Sequence, residues 1–437
     1  MALEKALRHL DAGFSELPKF EALAQSADRI ESVLMEAAQR LRDNYPYFHP
    51  LYAGQMLKPP HPVARMAYAL AMWINPNNHA LDGGRASSAM EKEAVAQIAA
   101  MFGWQEFLGH LTGGGTMANL EALWVAGQLH PGKTIVASAS AHYTHQRISG
   151  VLELPFEAIP TKPDGSMDCP ALALRAAKGN IGCVVATLGT TGTGSIDALP
   201  EILRLRDRFG FRIHADAAYG GYFTLADNLT TATRAAFDCI NQADSIVIDP
   251  HKHGLQPYGC GCVLFRDTAV GPLYKHDSPY TYFSSKDLHL GEISLECSRP
   301  GAAAVALWAT QRLLPLNAGG EFAAGLSSSR AAALDLARRL AKSPKWIVPF
   351  GPELDIVVWA PRARSASEAS AESQQIFDRA AANNLHLALI QLPASYFSRT
   401  DFNADQDHVL CLRSVLMKPE HSGWIDEIIA RLDLAAS

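Results

Sequence analysis

No stretch of this sequence stays apolar for long enough to cross a membrane. Its opening residues, Met1 to Asp28, mix charge with scattered leucines and lack the apolar core of a signal peptide. The expectation is a cytoplasmic protein with no membrane partner. A basic surplus is also missing: the net charge is −6 and the pI ≈ 6.2, so no positive field draws phosphate backbones, and no nucleic-acid partner is expected. Cysteines are few and odd in number, and Cys169, Cys183, Cys239, Cys260, Cys262, Cys297 and Cys411 lack zinc-ribbon spacing, so neither a metal site nor a disulfide framework is expected. Cys260 and Cys262, the one close pair, read as reduced core on one strand face. The Walker Gly-Lys-Ser/Thr pattern is absent, as is a Gly-x-Gly-x-x-Gly following a clear strand, which disfavours nucleotide binding. No internal repeat appears.

What is present is enough apolar sequence for a large core, 48% of 437 residues, and a length that suggests two or three domains. Residues 1–75 read as a helical arm for packing or dimerisation, with Ile30, Val33, Leu34, Ala37, Ala38 and Leu41 at helical spacing. Within it lies an irregular segment rich in proline and aromatics, holding Tyr45, Tyr47, Phe48, Tyr52 and Gln55, a kind of chain that often lines a site. Ser87 or Ser88 is expected to cap the next helix. Residues 76–316 alternate apolar runs with helical stretches, the rhythm of a largely parallel sheet with crossover helices. Strands are predicted at 134–138, 154–159, 183–188, 212–215, 245–248 and 260–265. Residues 317–437 read as a smaller α+β domain, with helices at 321–342, 365–383 and 424–433 and strands at 355–359, 387–392 and 409–414.

Polar residues collect at the predicted strand ends, where open α/β sheets bind ligands. Ser245-Ile246-Val247-Ile248 breaks at Pro250 into Lys252, flanked by His251 and His253. Desolvation disfavours an ammonium there, and a neutral amine can attack a carbonyl. Asp216 sits among alanines, where a carboxylate is costly unless it meets a cation or a hydrogen-bond donor. Gly113-Gly114-Gly115-Thr116 opens straight into a helix, aiming unpaired amides and the positive end of the dipole at whatever lies there. His142 follows another strand. Pyridoxal 5'-phosphate would use all four: amides for its phosphate, an amine for its aldehyde, a carboxylate for its ring nitrogen and a flat side chain over the ring.

His214-Ala215-Asp216-Ala217-Ala218-Tyr219, Asp249-Pro250-His251-Lys252, Gly114-Gly115-Thr116-Met117-Ala118-Asn119-Leu120, Ala141-His142 and Ala186-Thr187-Leu188-Gly189-Thr190-Thr191 resemble, in order and spacing, the group II pyridoxal-phosphate-dependent amino acid decarboxylases, across roughly residues 45–430. The resemblance implies an α/β fold of type I, like aspartate aminotransferase, with a mostly parallel central sheet, a smaller C-terminal α+β domain, and a homodimer whose active site lies at the subunit interface. It implies Lys252 as the Schiff-base lysine, Asp216 as the pyridinium partner, His142 as the stacking residue and Ala218 on the opposite ring face. Gly115, Thr116, Thr190 and His251 would be further cofactor contacts. Arg413 matches the family's substrate-carboxylate arginine, and Gln55 a pocket glutamine. The implied reaction converts an L-amino acid to its amine, with an aromatic substrate slightly favoured. Tyr280 or Tyr282 would reprotonate Cα, with His253 and Tyr258 as second choices.

Two features depart from the family pattern. Asp249 stands where many members have asparagine. Ser298-Arg299-Pro300-Gly301 resembles the sphingosine-phosphate lyase branch, so a carbon–carbon lyase is the main enzymatic rival, while a catalytically silent homologue acting as a binding protein is the rival of another class. Decarboxylation linked to oxidation, giving an aldehyde, stays open.

Overall fold

The seven residues Ile181–Thr187, apolar but for the terminal threonine, form a strand with every residue buried, the mark of a sheet covered on both faces. A computed structural model of the chain describes residues 1–20, 26–275, 293–397 and 402–437. In chain order its helices and strands begin with α1 (Ala2–Ala12), α2 (Ala27–Leu41), α3 (Pro62–Met72) and α4 (Arg85–Met101). The alternating region runs β1 (Leu108–Thr112), α5 (Gly115–Leu129), β2 (Thr134–Ser138), α6 (Thr144–Val151), β3 (Phe156–Ile159), α7 (Cys169–Ala176), β4 (Ile181–Thr187), α8 (Leu199–Phe209), β5 (Arg212–Asp216), α9 (Thr231–Asp238), β6 (Ser245–Ile248) and β7 (Gly261–Phe265). There follow the short α10 (Gly271–Tyr274), then α11 (Gly301–Leu313), α12 (Glu321–Lys342), β8 (Trp346–Ile347), β9 (Ile356–Pro361), α13 (Ala366–Ala382), β10 (Ala388–Pro393), β11 (His408–Val415) and α14 (Ile425–Ala435).

The large sheet has the order β1-β7-β6-β5-β4-β2-β3, parallel from β3 through β6, with β7 antiparallel to both neighbours. Leaving β2, the chain crosses to β3 on one side and returns past β2 to β4 on the other. That reversal opens a crevice at the carboxyl ends of the strands. Register aligns those ends: Thr187 of β4 pairs with Asp216 of β5, and Asp216 with Val247 of β6. β1 escaped the sequence reading, because its glycine and histidine mask a short strand and its pairing with β7 is non-local.

The second sheet, β10-β11-β9-β8, is antiparallel throughout. β9 alternates by the two-residue period of a strand: Ile356, Val358 and Ala360 enter the main core, while Val357 and Trp359 face a second core with Leu336, Ile376, Leu412 and Ile428. Both faces are therefore committed, which seats the small sheet against the large one. Ser365 caps α13 by accepting from the Glu368 N–H at 3.2 Å.

Ser87 and Ser88 do not cap α4. The helix already begins at Arg85 behind Gly84, and Ser87 is buried in the first turn, donating to Asn78 Oδ1 at 2.5 Å. α1 and α2 bury no residue, and Val33, Leu34 and Leu41 of α2 are exposed. Among the described residues, no helix is long and apolar enough to cross a membrane.

Candidate active site

The crevice holds a cavity of about 500 Å³, lined among others by Gly115, Thr116, His142, Asp216, Ala218, His251 and Lys252. These residues come from four segments distant in sequence: the start of α5, the turn before α6, the end of β5 and the turn after β6. Parallel strands in register deliver them to one rim.

Asp216 terminates β5. Its Oδ1 accepts the Ala218 N–H at 3.1 Å, and its Oδ2 accepts from His145 Nε2 at 2.7 Å. Burial pushes the carboxyl up, but the hydrogen bond and charge of His145, aided by His214 and Lys252, hold it well below the usual carboxylate range. It is a fixed negative charge, suited to a protonated ring nitrogen. Behind it, His214 is pinned between Asn119 Oδ1 at 2.7 Å and Ser245 Oγ at 2.8 Å.

Lys252 leaves β6 through a tight turn, and its Nζ lies 3.0 Å from Asp249 Oδ2. Asp249 also lies 3.6 Å from His251 Nε2, and its Oδ1 is buried without a partner among the described residues. His251 is oriented by its Nδ1, which donates to Cys260 O at 2.9 Å, and burial pushes its imidazole down from the ordinary histidine range. His142 is also pushed down by burial; its Nδ1 accepts from the Thr144 N–H at 3.3 Å.

At the other end of the cavity α5 begins. Gly114 has φ 142°, a backbone that L side chains rarely adopt, and a Cβ on Gly115 would stand 2.6 Å from Asp249 Oδ2. Only glycine fits there, so the helix opens on residues with no side chain of their own, its first amides unpaired within the helix. Glu296 lies at the same mouth, accepting the Gly113 N–H at 2.8 Å.

The residues suit pyridoxal phosphate. A carboxylate, an amine and an open helix N-terminus face one cavity, and two of its buried polar atoms, Thr187 Oγ1 and Asp249 Oδ1, have no partner among the described residues.

Several expected residues lie elsewhere. The Thr190 hydroxyl is folded into its own turn, 2.9 Å from Thr193 Oγ1 and accepting the Ser195 N–H at 3.0 Å; Thr187 and Thr191 line the cavity instead. Arg413 is off the cavity wall. Its guanidinium donates to Gly192 O at 2.8 Å, Thr191 O at 2.6 Å, Gly54 O at 3.2 Å and Gln55 Oε1 at 3.1 Å, tying two loops together. Gln55 thus meets Arg413 but not the cavity. His253 points away, toward Asp355, and Tyr258 donates to Met56 O at 3.0 Å. Tyr45, Tyr47 and Tyr52 stack on one another and on His386 rather than on the cavity. Tyr280 and Tyr282 lie outside the described residues.

Sequence reasoning missed His145, Thr187 and Glu296. His145 had a signal, a second histidine one helical turn beyond His142, but nothing in the sequence placed it under Asp216.

A model of the pyridoxal-dependent decarboxylase conserved domain matches residues 16–358. An L-tyrosine decarboxylase of Enterococcus faecium is 29% identical over 395 residues, covering 67% of this chain and 64% of the relative. One from Levilactobacillus brevis is 26% identical over 400 residues, covering 68% and 64%. The chain therefore spans a little under two thirds of the length of these relatives. Among solved structures, mouse CSAD superposes with a TM-score of 0.80 at 19% identity, covering 98% of this chain and 92% of that one. Oryza sativa TDC with PLP and tryptamine gives 0.81 at 17%, covering 97% and 91%. These likenesses establish the fold as type I, and with a family match over residues 16–358, the chain belongs to the pyridoxal-dependent decarboxylase family.

Proposed function

We propose that this protein removes the α-carboxylate of an L-amino acid with the help of pyridoxal phosphate, favouring an aromatic or similarly bulky side chain. The observation that carries the proposal is the meeting of Lys252, Asp216, His142 and the start of α5 on one cavity. When bound, the cofactor supplies an aldehyde for the substrate amine and a ring that takes up the electrons left as CO₂ departs.

The chain's own groups do the rest. Lys252 would hold the aldehyde carbon and give way to the substrate amine, with Asp249 at 3.0 Å to keep its Nζ in place. Asp216, kept ionised by His145, would hold the proton on the ring nitrogen. His142 and Ala218 would bracket the ring, and the amides of Gly115 and Thr116 would hold the phosphate. Arg413 would act on substrate only by positioning the 191–192 loop. Tyr280 and Tyr282 remain the proposed proton donors to Cα.

The tyrosine decarboxylase names of the relatives support the aromatic preference. We also propose a homodimer, supported by the apolar face that α2 leaves uncovered. The carbon–carbon lyase stays the rival reading, and Arg299, in the segment that resembles that branch, adds nothing to it. That guanidinium is buried against Glu91 at 2.8 Å and donates to Leu111 O at 2.6 Å, so it offers the cavity no cation for a substrate phosphate.

The test is mass spectrometry of products after incubating the cofactor-loaded protein with pooled L-amino acids, with Lys252→Ala as control. Amine plus CO₂ from one or two substrates, absent in the control, is expected. An aldehyde without amine would indicate the oxidative variant, and no turnover by a loaded protein would overturn the proposal.

A further inference from the structure

Behind the turn that carries Lys252 lies a second cavity, of about 400 Å³. Two lysines line it whose ammonium groups, among the described residues, donate only to backbone carbonyls: Lys58 Nζ to Met417 O at 3.1 Å and Lys418 Nζ to Tyr52 O at 2.6 Å. Lys418 is only 4% exposed. Among the described residues neither lysine has a carboxylate at ion-pair distance. The acids that line the cavity, Glu321 and Glu420, are exposed, as is Arg65. Burial pushes both amines down to about 8, outweighing the opposing charges of Asp355 and Glu420 on Lys58 and of Glu420 on Lys418. The wall beside them is apolar, formed by Leu314, Phe322, Leu326 and Met417.

We propose that this cavity binds a small organic carboxylate, its charge held between Lys58 and Lys418 and its apolar body packed on Leu314, Phe322 and Leu326. The volume suits a small-molecule pocket. An inorganic anion would satisfy the lysines but leave the apolar wall wet, so the combination selects an organic acid over phosphate.

His253 connects this cavity to the first. It lines the second cavity, follows Lys252 in the chain, and turns its Nε2 to Asp355 Oδ2 at 3.2 Å. The other oxygen of Asp355 accepts from the Tyr219 hydroxyl, and Tyr219 lines the first cavity. A carboxylate bound beside Lys58 takes up positive charge that now faces Asp355, so occupancy reaches Tyr219 through one buried carboxylate.

The test is calorimetry and saturation-transfer NMR on the intact, cofactor-loaded protein, with benzoate and phenylacetate as probes and inorganic phosphate for comparison. Saturable benzoate binding is expected, weakened about tenfold or more by Lys58→Met or Lys418→Met and retained in Lys252→Ala. Should the buried Lys418→Met fail to fold, the partly exposed Lys58→Met decides alone, with its thermal midpoint as the control for folding. Benzoate binding that survives Lys58→Met, or that disappears in Lys252→Ala, would overturn the proposal. So would an absence of binding at millimolar concentration, or phosphate binding more tightly than benzoate.

Discussion

His145 Nε2 lies 2.7 Å from Asp216 Oδ2, and both side chains are withdrawn from solvent. Replacing His145 with Phe removes the donor while keeping a ring in place, and burial then raises the Asp216 carboxyl. Cofactor affinity should fall about tenfold or more, roughly 1.4 kcal/mol, and fall further at pH 6 than at pH 8 because the carboxyl protonates first at low pH. His145→Asn, which restores a donor, should recover part of the loss. Absorbance titration with pyridoxal phosphate reads this directly, and equal affinities at both pH values would refute it.

Asp249 stands 3.0 Å from Lys252 Nζ. Asp249→Asn replaces the charged partner that holds Nζ with a neutral one, and the less tightly held amine should take up pyridoxal phosphate several-fold faster near neutral pH. Stopped-flow absorbance measures the rate. A slower uptake would mean that the carboxylate accepts the lysine's proton during attack rather than holding it in place.

His214 is fully buried, and burial lowers its pKa from 6.5 to about 3. The folded pKa is depressed, so the stability it contributes is present above pH 6.5 and is lost as pH falls toward 3. Between pH 6.5 and 4.5 this one group should remove roughly 2–3 kcal/mol. Urea unfolding across that range should show the slope, and His214→Asn should flatten it.

Arg413 separates two roles by experiment. As a tie between the 54–55 and 191–192 loops, its replacement by Lys should lower the thermal midpoint by several degrees and cost about 2–4 kcal/mol, because a buried guanidinium with four acceptors is lost. As a direct holder of substrate carboxylate, the same change would raise KM and leave the midpoint in place.

Legibility followed how local each signal was. Glu321–Lys342 was readable because its apolar positions repeat every turn, and β4, β5 and β6 because β-branched and alanine-rich runs end in turn residues. β8, of two residues, and β1, whose partner lies about 150 residues on, carry too little local pattern to be seen. Arg413 looked like a ligand-binding arginine because a guanidinium at a strand end can hold a carboxylate. Only folding showed four protein oxygens already in place around it.

The sequence by itself determined the chemistry on offer: a lysine after a buried strand, an aspartate among alanines, a glycine cluster opening a helix, and their order along the chain. Tertiary structure decided which of these meet and what supports them. Asp216 and His145 are 71 residues apart, and Tyr219 and Asp355 are 136 apart. No spacing rule links such pairs, because their approach depends on strand register and crossover geometry across the whole sheet. The same physics places Lys58 beside Lys418, two amines unremarkable in sequence until the fold buries both against one cavity.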